Sequence, residues 1–212
     1  MSRDSLLKIG MRHGTDKPGH QFLPHYDSIF APRRDDSLRL LEIGINNVTS
    51  TEGGSLRMWA EYFPNAEIFG IDSMPEKAFT EDSIRVFTGM QGDRAFLESV
   101  VAETGPLDIV VDDGSHRSRD HVASYDALWP HVAPGGWYII EDCVSIFNDC
   151  WTKPGERTIL DVAWERMESI LSTGKDSINE VRIIGDGCND GLVMFRKRAT
   201  FTPFHLEEVT DP

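Results

Sequence analysis

The feature that most constrains this chain is a series of short apolar runs, each closed by a turn and separated from the next by a helical pattern. The runs cover residues 38–45, 67–72, 84–88, 107–111 and 137–140, and helical patterns fill 55–62, 94–103 and 119–132. Strands that are apolar on both faces and alternate with helices predict a parallel sheet covered on both sides, an α/β fold. Two β-prone runs, 180–184 and 192–196, flank a turn-rich stretch at 185–191 and predict a C-terminal antiparallel hairpin. The sequence reads as one domain over residues 1–212. Residues 1–36 form an N-terminal helix and loop, with the helix at 5–12, a polar loop at 13–24 and a linker at 32–36. Residues 144–180 break the alternation with a loop around Pro154 and Gly155 and then a helix at 156–171, a lid-like insertion.

The formal net charge is −14 over 212 residues. Such a surface repels phosphate backbones and anionic lipid heads, which argues against nucleic acid and membrane partners. The opening Met-Ser-Arg-Asp-Ser lacks the apolar run of a signal peptide, and no stretch is apolar enough to span a bilayer. Cys143, Cys150 and Cys188 form no Cys-x-x-Cys pair, so neither a disulfide framework nor a cysteine zinc site is expected. A cytoplasmic location is the expectation.

In open α/β sheets, ligands bind beyond the carboxyl ends of the strands, and the chemically informative residues fall there. The first strand carries Glu42 and Gly44, an acid followed closely by a residue that lets backbone approach a ligand. Gly53-Gly54-Ser55 then opens a helix whose free N–H groups can hold a polar group. The second strand ends at Asp72, where one carboxylate can accept both hydroxyls of a ribose. Together these favour a nucleoside-type ligand over surface acids and turn glycines. NAD fits poorly, because Gly44-Ile45-Asn46-Asn47 is no Gly-x-Gly-x-x-Gly turn. S-adenosylmethionine (SAM) has no pyrophosphate and needs no such turn.

The next strand runs into Asp112-Asp113-Gly114-Ser115-His116 and the last into Glu141-Asp142. Carboxylates gathered at one sheet edge repel each other unless a cation neutralises them, and oxygen donors without thiolates select a hard ion, Mg²⁺ or Mn²⁺. The bland alternative is that Asp112 or Asp113 caps the following helix. His116, three residues after Asp113, can act as a general base near neutral pH. His13, His20, His25, His121, His131 and His205 lack that setting and read as surface or packing residues.

Several motifs together resemble the metal-dependent sugar O-methyltransferases of macrolide biosynthesis. The matching residues are Gly14-Thr15-Asp16-Lys17, Leu41-Glu42-Ile43-Gly44, Gly53-Gly54-Ser55-Leu56-Arg57-Met58-Trp59, Gly70-Ile71-Asp72, Asp112 to His116, Gly135-Gly136 and Glu141-Asp142. The resemblance implies the Rossmann-like sheet of class I methyltransferases, SAM as cofactor, a bound Mg²⁺ or Mn²⁺, and a role in antibiotic biosynthesis. It implies Asp113, Glu141 and Asp142 as metal ligands and His116 as the base. It implies Glu42, Gly44, Asp72 and Asp112 as cofactor-binding residues, with Asp72 on the ribose. Thr15 and Lys17 match a loop bordering the cofactor, and Gln91-Gly92-Asp93 falls near the adenine. Larger members of the family carry a further N-terminal region that this sequence does not show. A substrate wall would then be missing or come from another subunit, which suggests a homo-oligomer.

The resulting expectation is methyl transfer to a hydroxyl of a sugar on a glycosylated natural product. Trp151 and Trp164 either line an apolar aglycone surface or, as favoured, pack their helix onto the core. A catechol or other phenol is the alternative acceptor. A non-haem iron oxygenase wants more histidine than this cluster offers, and a nucleoside-binding module would use the acids for folding alone.

Overall fold

The computed structural model describes residues 3–45, 52–74, 80–81, 83–172, 177–185 and 190–199. The stretch following Ile45, the hairpin residues 186–189, Cys188 and His205 lie outside the described residues. The strands are β1 (Arg39–Ile43), β2 (Glu67–Asp72), β3 (Thr80–Glu81), β4 (Ile84–Thr88), β5 (Leu107–Asp112), β6 (Val132–Ile140), β7 (Ile178–Gly185) and β8 (Gly191–Lys197). They form one eight-stranded sheet in the order β3-β4-β2-β1-β5-β6-β8-β7. Strands β4, β2, β1, β5 and β6 are mutually parallel. β3 is antiparallel to β4, β8 to β6, and β7 to β8. The mostly parallel α/β sheet and its C-terminal hairpin match the sequence expectation.

The period-2 alternation of side chains sends successive residues to opposite faces. Leu40, Ile68, Ile109, Val111 and Ile139 join one core layer, under α1 (Leu6–His13), α2 (Leu23–Phe30) and α3 (Gly54–Tyr62). Leu41, Phe69, Val110, Tyr138 and Ile140 join the other, under α4 (Arg94–Thr104), α5 (Ser118–Leu128) and α6 (Ile159–Ser172). The chain leaves β1 toward β2 and β4 and returns to β5 on the other side of β1. The order therefore reverses at β1/β5, the place where an open sheet leaves a crevice.

Several local expectations are corrected. Helix α2 occupies Leu23–Phe30, starting at the end of the stretch read as a polar loop and continuing through residues that were given no element. Its Tyr26 and Phe30 bury themselves against Trp59, so tertiary packing supplies what a short, weakly periodic segment lacks on its own. Helix α5 stops at Leu128, well before Val132, because Pro130 follows in a 3-10 turn, Trp129–His131. β6 starts at Val132, earlier than the apolar run suggested. Its first half contains Gly135 at φ +82°, and its register with β5 shifts between Leu107 and Ile109. Helix α6 begins at Ile159 and is anchored by buried Ile159, Val162 and Ala163. Trp164 on the same helix is 66% exposed, so the favoured packing role does not hold for it. Among the described residues, no helix is long and apolar enough to cross a membrane.

Trp59 is fully buried among Tyr26, Phe30 and Phe63 and ties α3 to the N-terminal helices. Trp59→Ala should cost about 3–5 kcal/mol of folding stability, read as a lowered urea midpoint. An unchanged midpoint would mean that the N-terminal helices do not fold with the sheet.

Candidate functional site

A cavity of about 360 Å³ opens at the β1/β5 crevice. Thr15, Gly44, Asp72, Gln91, Asp113, His116 and Asp142 all line it. Gly44 sits at φ +80°, and a Cβ there would fall 2.0 Å from the Asp113 carbonyl oxygen. Only glycine lets β1 turn that close to the end of β5. Asp72 stands at the far end, where its carboxylate accepts the Met74 N–H at 2.9 Å. Gln91 bridges two parts of the wall. Its Nε2 donates to Asp112 at 3.0 Å and its Oε1 accepts from the Ser115 N–H at 2.5 Å.

Five of the expected residues, Lys17, Glu42, Gly92, Asp112 and Glu141, do not line the cavity. Asp112 is the last residue of β5, shares the Val110 face and is not part of the lining. It is completely buried and is held by Gln91, Ser124 and Tyr138. Gly92 is exposed beside Asp120 and is not part of the lining. Lys17 and Glu42 lie in a layer beneath the lining, together with Glu141.

That layer is built on one ammonium. Lys17 Nζ donates to Asp113 Oδ2 and Glu141 Oε1, both at 2.8 Å, and stands 3.1 Å from Glu42 Oε1. The Tyr26 hydroxyl donates to the same Glu141 oxygen at 2.6 Å. Burial raises the pKa of the Glu42 carboxyl, and Lys17 and a hydrogen bond from Ser55 oppose that rise. Burial alone would depress the Lys17 ammonium, but the three carboxylates hold it well above its ordinary value. Burial pushes Asp113 up to about 6 and Glu141 up to about 7, with Lys17 opposing both shifts. One ammonium against three carboxylates leaves the layer with formal negative charge in a region poor in water.

At the surface of this layer, Asp113, His116 and Asp142 offer donor atoms within 4.8 Å of one another. Two carboxylates and an imidazole at this spacing fit a hard divalent cation. Glu141, expected as a ligand, is engaged on Oε1 by Lys17 and Tyr26 and is not part of that group. His20 and Asp190 make a second such group with Asp142. His20 Nδ1 lies 2.8 Å from Asp190, whose hydrogen bond raises the imidazole to about 9. Burial, joined by the hydrogen bond that the Asp142 carboxyl donates to Asp190, lifts Asp142 to about 9. Sequence reasoning missed His20, Tyr26 and Asp190. No local motif marks them, since His20 and Asp190 are 170 residues apart.

His116 and Asp142 both adopt left-handed backbone, at φ +56° and +53°. Such conformations in non-glycine residues cost about 1–3 kcal/mol and persist where surrounding structure imposes them. The buried Nδ1 of His116 has no hydrogen-bond partner, and Asp142 Oδ2 stands 3.4 Å from it. Burial lowers the His116 pKa, so the ring is neutral near pH 7. His121, fully buried, packs its ring 6.5 Å from that of His116.

Residues 41–143 match the family described as a methyltransferase domain. The chain is 44% identical over 144 residues to mycinamicin VI 2''-O-methyltransferase of Micromonospora griseorubida, covering 66% of this chain and 36% of that protein. It is 43% identical over 141 residues to 8-demethyl-8-(2-methoxy-alpha-L-rhamnosyl)-tetracenomycin-C 3'-O-methyltransferase of Streptomyces olivaceus, covering 65% of this chain and 36% of that one. The MycE methyltransferase of the mycinamycin pathway, solved with Mg, SAH and mycinamycin VI, superposes with a TM-score of 0.82 at 32% identity. That superposition covers 95% of this chain and 57% of MycE. The chain thus spans little more than a third of the length of the curated relatives it matches.

The acids of the Lys17 layer, Glu42, Asp113 and Glu141, fall within the matched residues 41–143, and Lys17 itself lies before them. Lys17→Met should lose about 3–5 kcal/mol of stability by stranding buried carboxylates, and adding Glu42→Gln should return part of it. Urea unfolding of both variants checks this, and a wild-type midpoint in Lys17→Met would show that the ammonium is not needed. With its strand order and its β1/β5 crevice the chain has the class I methyltransferase fold, and its residues 41–143 match the methyltransferase-domain family and are similar to the sugar O-methyltransferases named above.

Proposed function

We propose that this chain transfers a methyl group from SAM to a hydroxyl of a sugar on a glycosylated natural product, assisted by Mg²⁺ or Mn²⁺. The observation that carries the reading is the convergence of Asp113, His116 and Asp142 at one wall of a cavity whose other end is Asp72. Relatives that act on mycinamicin VI and on a rhamnosyl tetracenomycin support the sugar acceptor. The Mg and SAH bound to MycE support the two cofactors.

Gly44 and Ser55 would border the cofactor, and Asp72 would accept its ribose hydroxyls. Thr15 and Gln91 line the same cavity. Asp112 and Lys17 act from behind: Asp112 fixes Gln91, and Lys17 fixes Asp113 and Glu141. Asp113 and Asp142, with His116 beside them, would hold the cation, and Glu141 orders that wall through Lys17. When bound, SAM supplies the methyl group and the cation draws charge from the acceptor oxygen, lowering the hydroxyl pKa. Neutral His116 would take the hydroxyl proton at Nε2, since its Nδ1 is buried against Asp142. Its left-handed backbone holds the ring against Asp142. Orientation of this kind can lower a barrier by about 7–11 kcal/mol in favourable cases.

Calorimetric titration of S-adenosylhomocysteine tests the cofactor. Binding is expected with Mg²⁺ and also in chelator, and its absence from both buffers would overturn the reading. His116→Ala should lower turnover by about 10²–10⁴-fold while the S-adenosylhomocysteine affinity stays within about twofold. Equal turnover would remove His116 from the chemistry. Asp142→Asn should weaken Mn²⁺ binding, followed by electron paramagnetic resonance, and reduce activity in parallel; full wild-type activity in chelator would remove the metal.

A further inference from the structure

The three donors of the cation group are backed by different parts of the chain. Lys17 holds Asp113. The His116 ring meets two rings edge-on, those of Trp151 and His121, with centroids 6.1 and 6.5 Å away. Asp142 is the residue at which the chain leaves β6, in left-handed backbone, and enters the 3-10 turn Cys143–Phe147. That turn is closed further on, where Thr152 donates to the Ser145 carbonyl at 3.2 Å. Asp142 heads it with no side-chain cap hydrogen bond, so the turn itself does not orient the carboxylate. The orientation comes from two distant segments.

The Asp142 carboxylate lies between two imidazoles. Its Oδ2 stands 3.4 Å from His116 Nδ1, and its Oδ1 stands 3.7 Å from His20 Nδ1. One oxygen thus faces the cluster and the other faces His20. His20 Nδ1 also lies 2.8 Å from Asp190 Oδ2, and the Asp142 carboxyl is hydrogen-bonded to Asp190. The three side chains close a triangle behind the cation group. Both outer partners are themselves anchored. Asp190 Oδ1 accepts the N–H of Gly191, the first residue of β8, at 2.7 Å. β8 runs antiparallel to β6 with Val193 opposite Ile140, so its start lies beside the end of β6. The His20 ring stacks on buried Phe22, 5.7 Å between centroids. Its loop is shaped by the Gly19 N–H, which donates to the Asp16 carbonyl at 2.8 Å, and by Gln21 at φ +57°. The same loop carries Lys17, so one short segment reaches the back of both Asp113 and Asp142.

We propose that His20 and Asp190 are positioning residues that hold the Asp142 carboxylate in its cation-binding orientation and thereby set the affinity for Mg²⁺ or Mn²⁺. The inference rests on the metal-assisted reading above. Carboxylates that ligate a metal are themselves hydrogen-bonded, and losing such an outer partner costs about 10–100-fold in metal affinity. Here the outer side is Oδ1. Without the pair, half-buried Asp142 would turn toward water and away from Asp113, whose like charge repels it. Neither His20 nor Asp190 lines the cavity, so the pair acts through Asp142 and not on the cofactor.

The test uses the full chain. Mn²⁺ binding is counted by electron paramagnetic resonance, and S-adenosylhomocysteine is titrated calorimetrically into the same preparations. The wild type should bind a single Mn²⁺. His20→Ala and Asp190→Ala should each weaken it about 10–100-fold, while the S-adenosylhomocysteine affinity stays within about twofold. Because the two side chains act as a unit, the double variant should be weaker than either single variant by less than about threefold. His20→Asn, whose amide N–H can stand where Nδ1 stood, should recover most of the loss. Should an alanine variant lose S-adenosylhomocysteine binding as well, the site has collapsed and His20→Asn against wild type decides. Wild-type Mn²⁺ affinity in either alanine variant, fully additive losses, or no recovery in His20→Asn would each overturn the proposal. Two Mn²⁺ ions in the wild type, one of them lost in His20→Ala, would also overturn it, making His20 and Asp190 ligands of a second cation. A wild type that binds S-adenosylhomocysteine but no Mn²⁺ would overturn the metal half of the underlying reading and the proposal with it. One that binds Mn²⁺ but no S-adenosylhomocysteine would overturn the methyltransferase half alone.

Discussion

The ammonium of Lys17 is the interaction on which the site depends. Three strand-end carboxylates, Glu42, Asp113 and Glu141, come together because β1, β5 and β6 are adjacent and parallel. Without a cation, their mutual repulsion and desolvation would force them to protonate or to move apart. Lys17 enters from the loop between α1 and α2, so the N-terminal helices are coupled to the acid cluster as well as to the apolar layer around Trp59. The cavity floor is thereby fixed before any ligand arrives, and the carboxylates that remain on the cavity side, Asp113 and Asp142, keep their demand for positive charge.

Much of this was legible in the sequence. The α/β class follows from apolar runs that recur between helical patterns, and the location of the chemistry follows from the rule that ligands sit at the carboxyl ends of parallel strands. Gly44 was legible because backbone that turns against a neighbouring strand end leaves no room for a side chain. Adjacent Asp112 and Asp113 were harder to separate. Strand alternation aims Asp112 into the α4–α6 layer and leaves Asp113 at the cavity, and the point where that alternation ends depends on the last residue of the strand. The same uncertainty of a single residue affected Glu141 and Asp142.

What remained hidden was contributed from a distance. Helix α2 is too short to announce itself and exists through its contacts with α3. His20 and Asp190 meet at Asp142 only because the β7–β8 hairpin lies beside β6 and the N-terminal loop folds over the same strand ends. Lys17 read as a cofactor neighbour, since nothing in its local sequence reveals the three acids around it. Long-range electrostatics of this kind depends on the assembled sheet and not on spacing along the chain.

The irregular turn from Cys143 to Thr152 stands apart from the rigid strand ends that hold the acids and the histidine. Its aromatic residues contribute little to the buried core, so they can change with small consequences for folding. A lineage built on this architecture can therefore vary one short stretch by drift while the acids and the histidine at the strand ends stay constant.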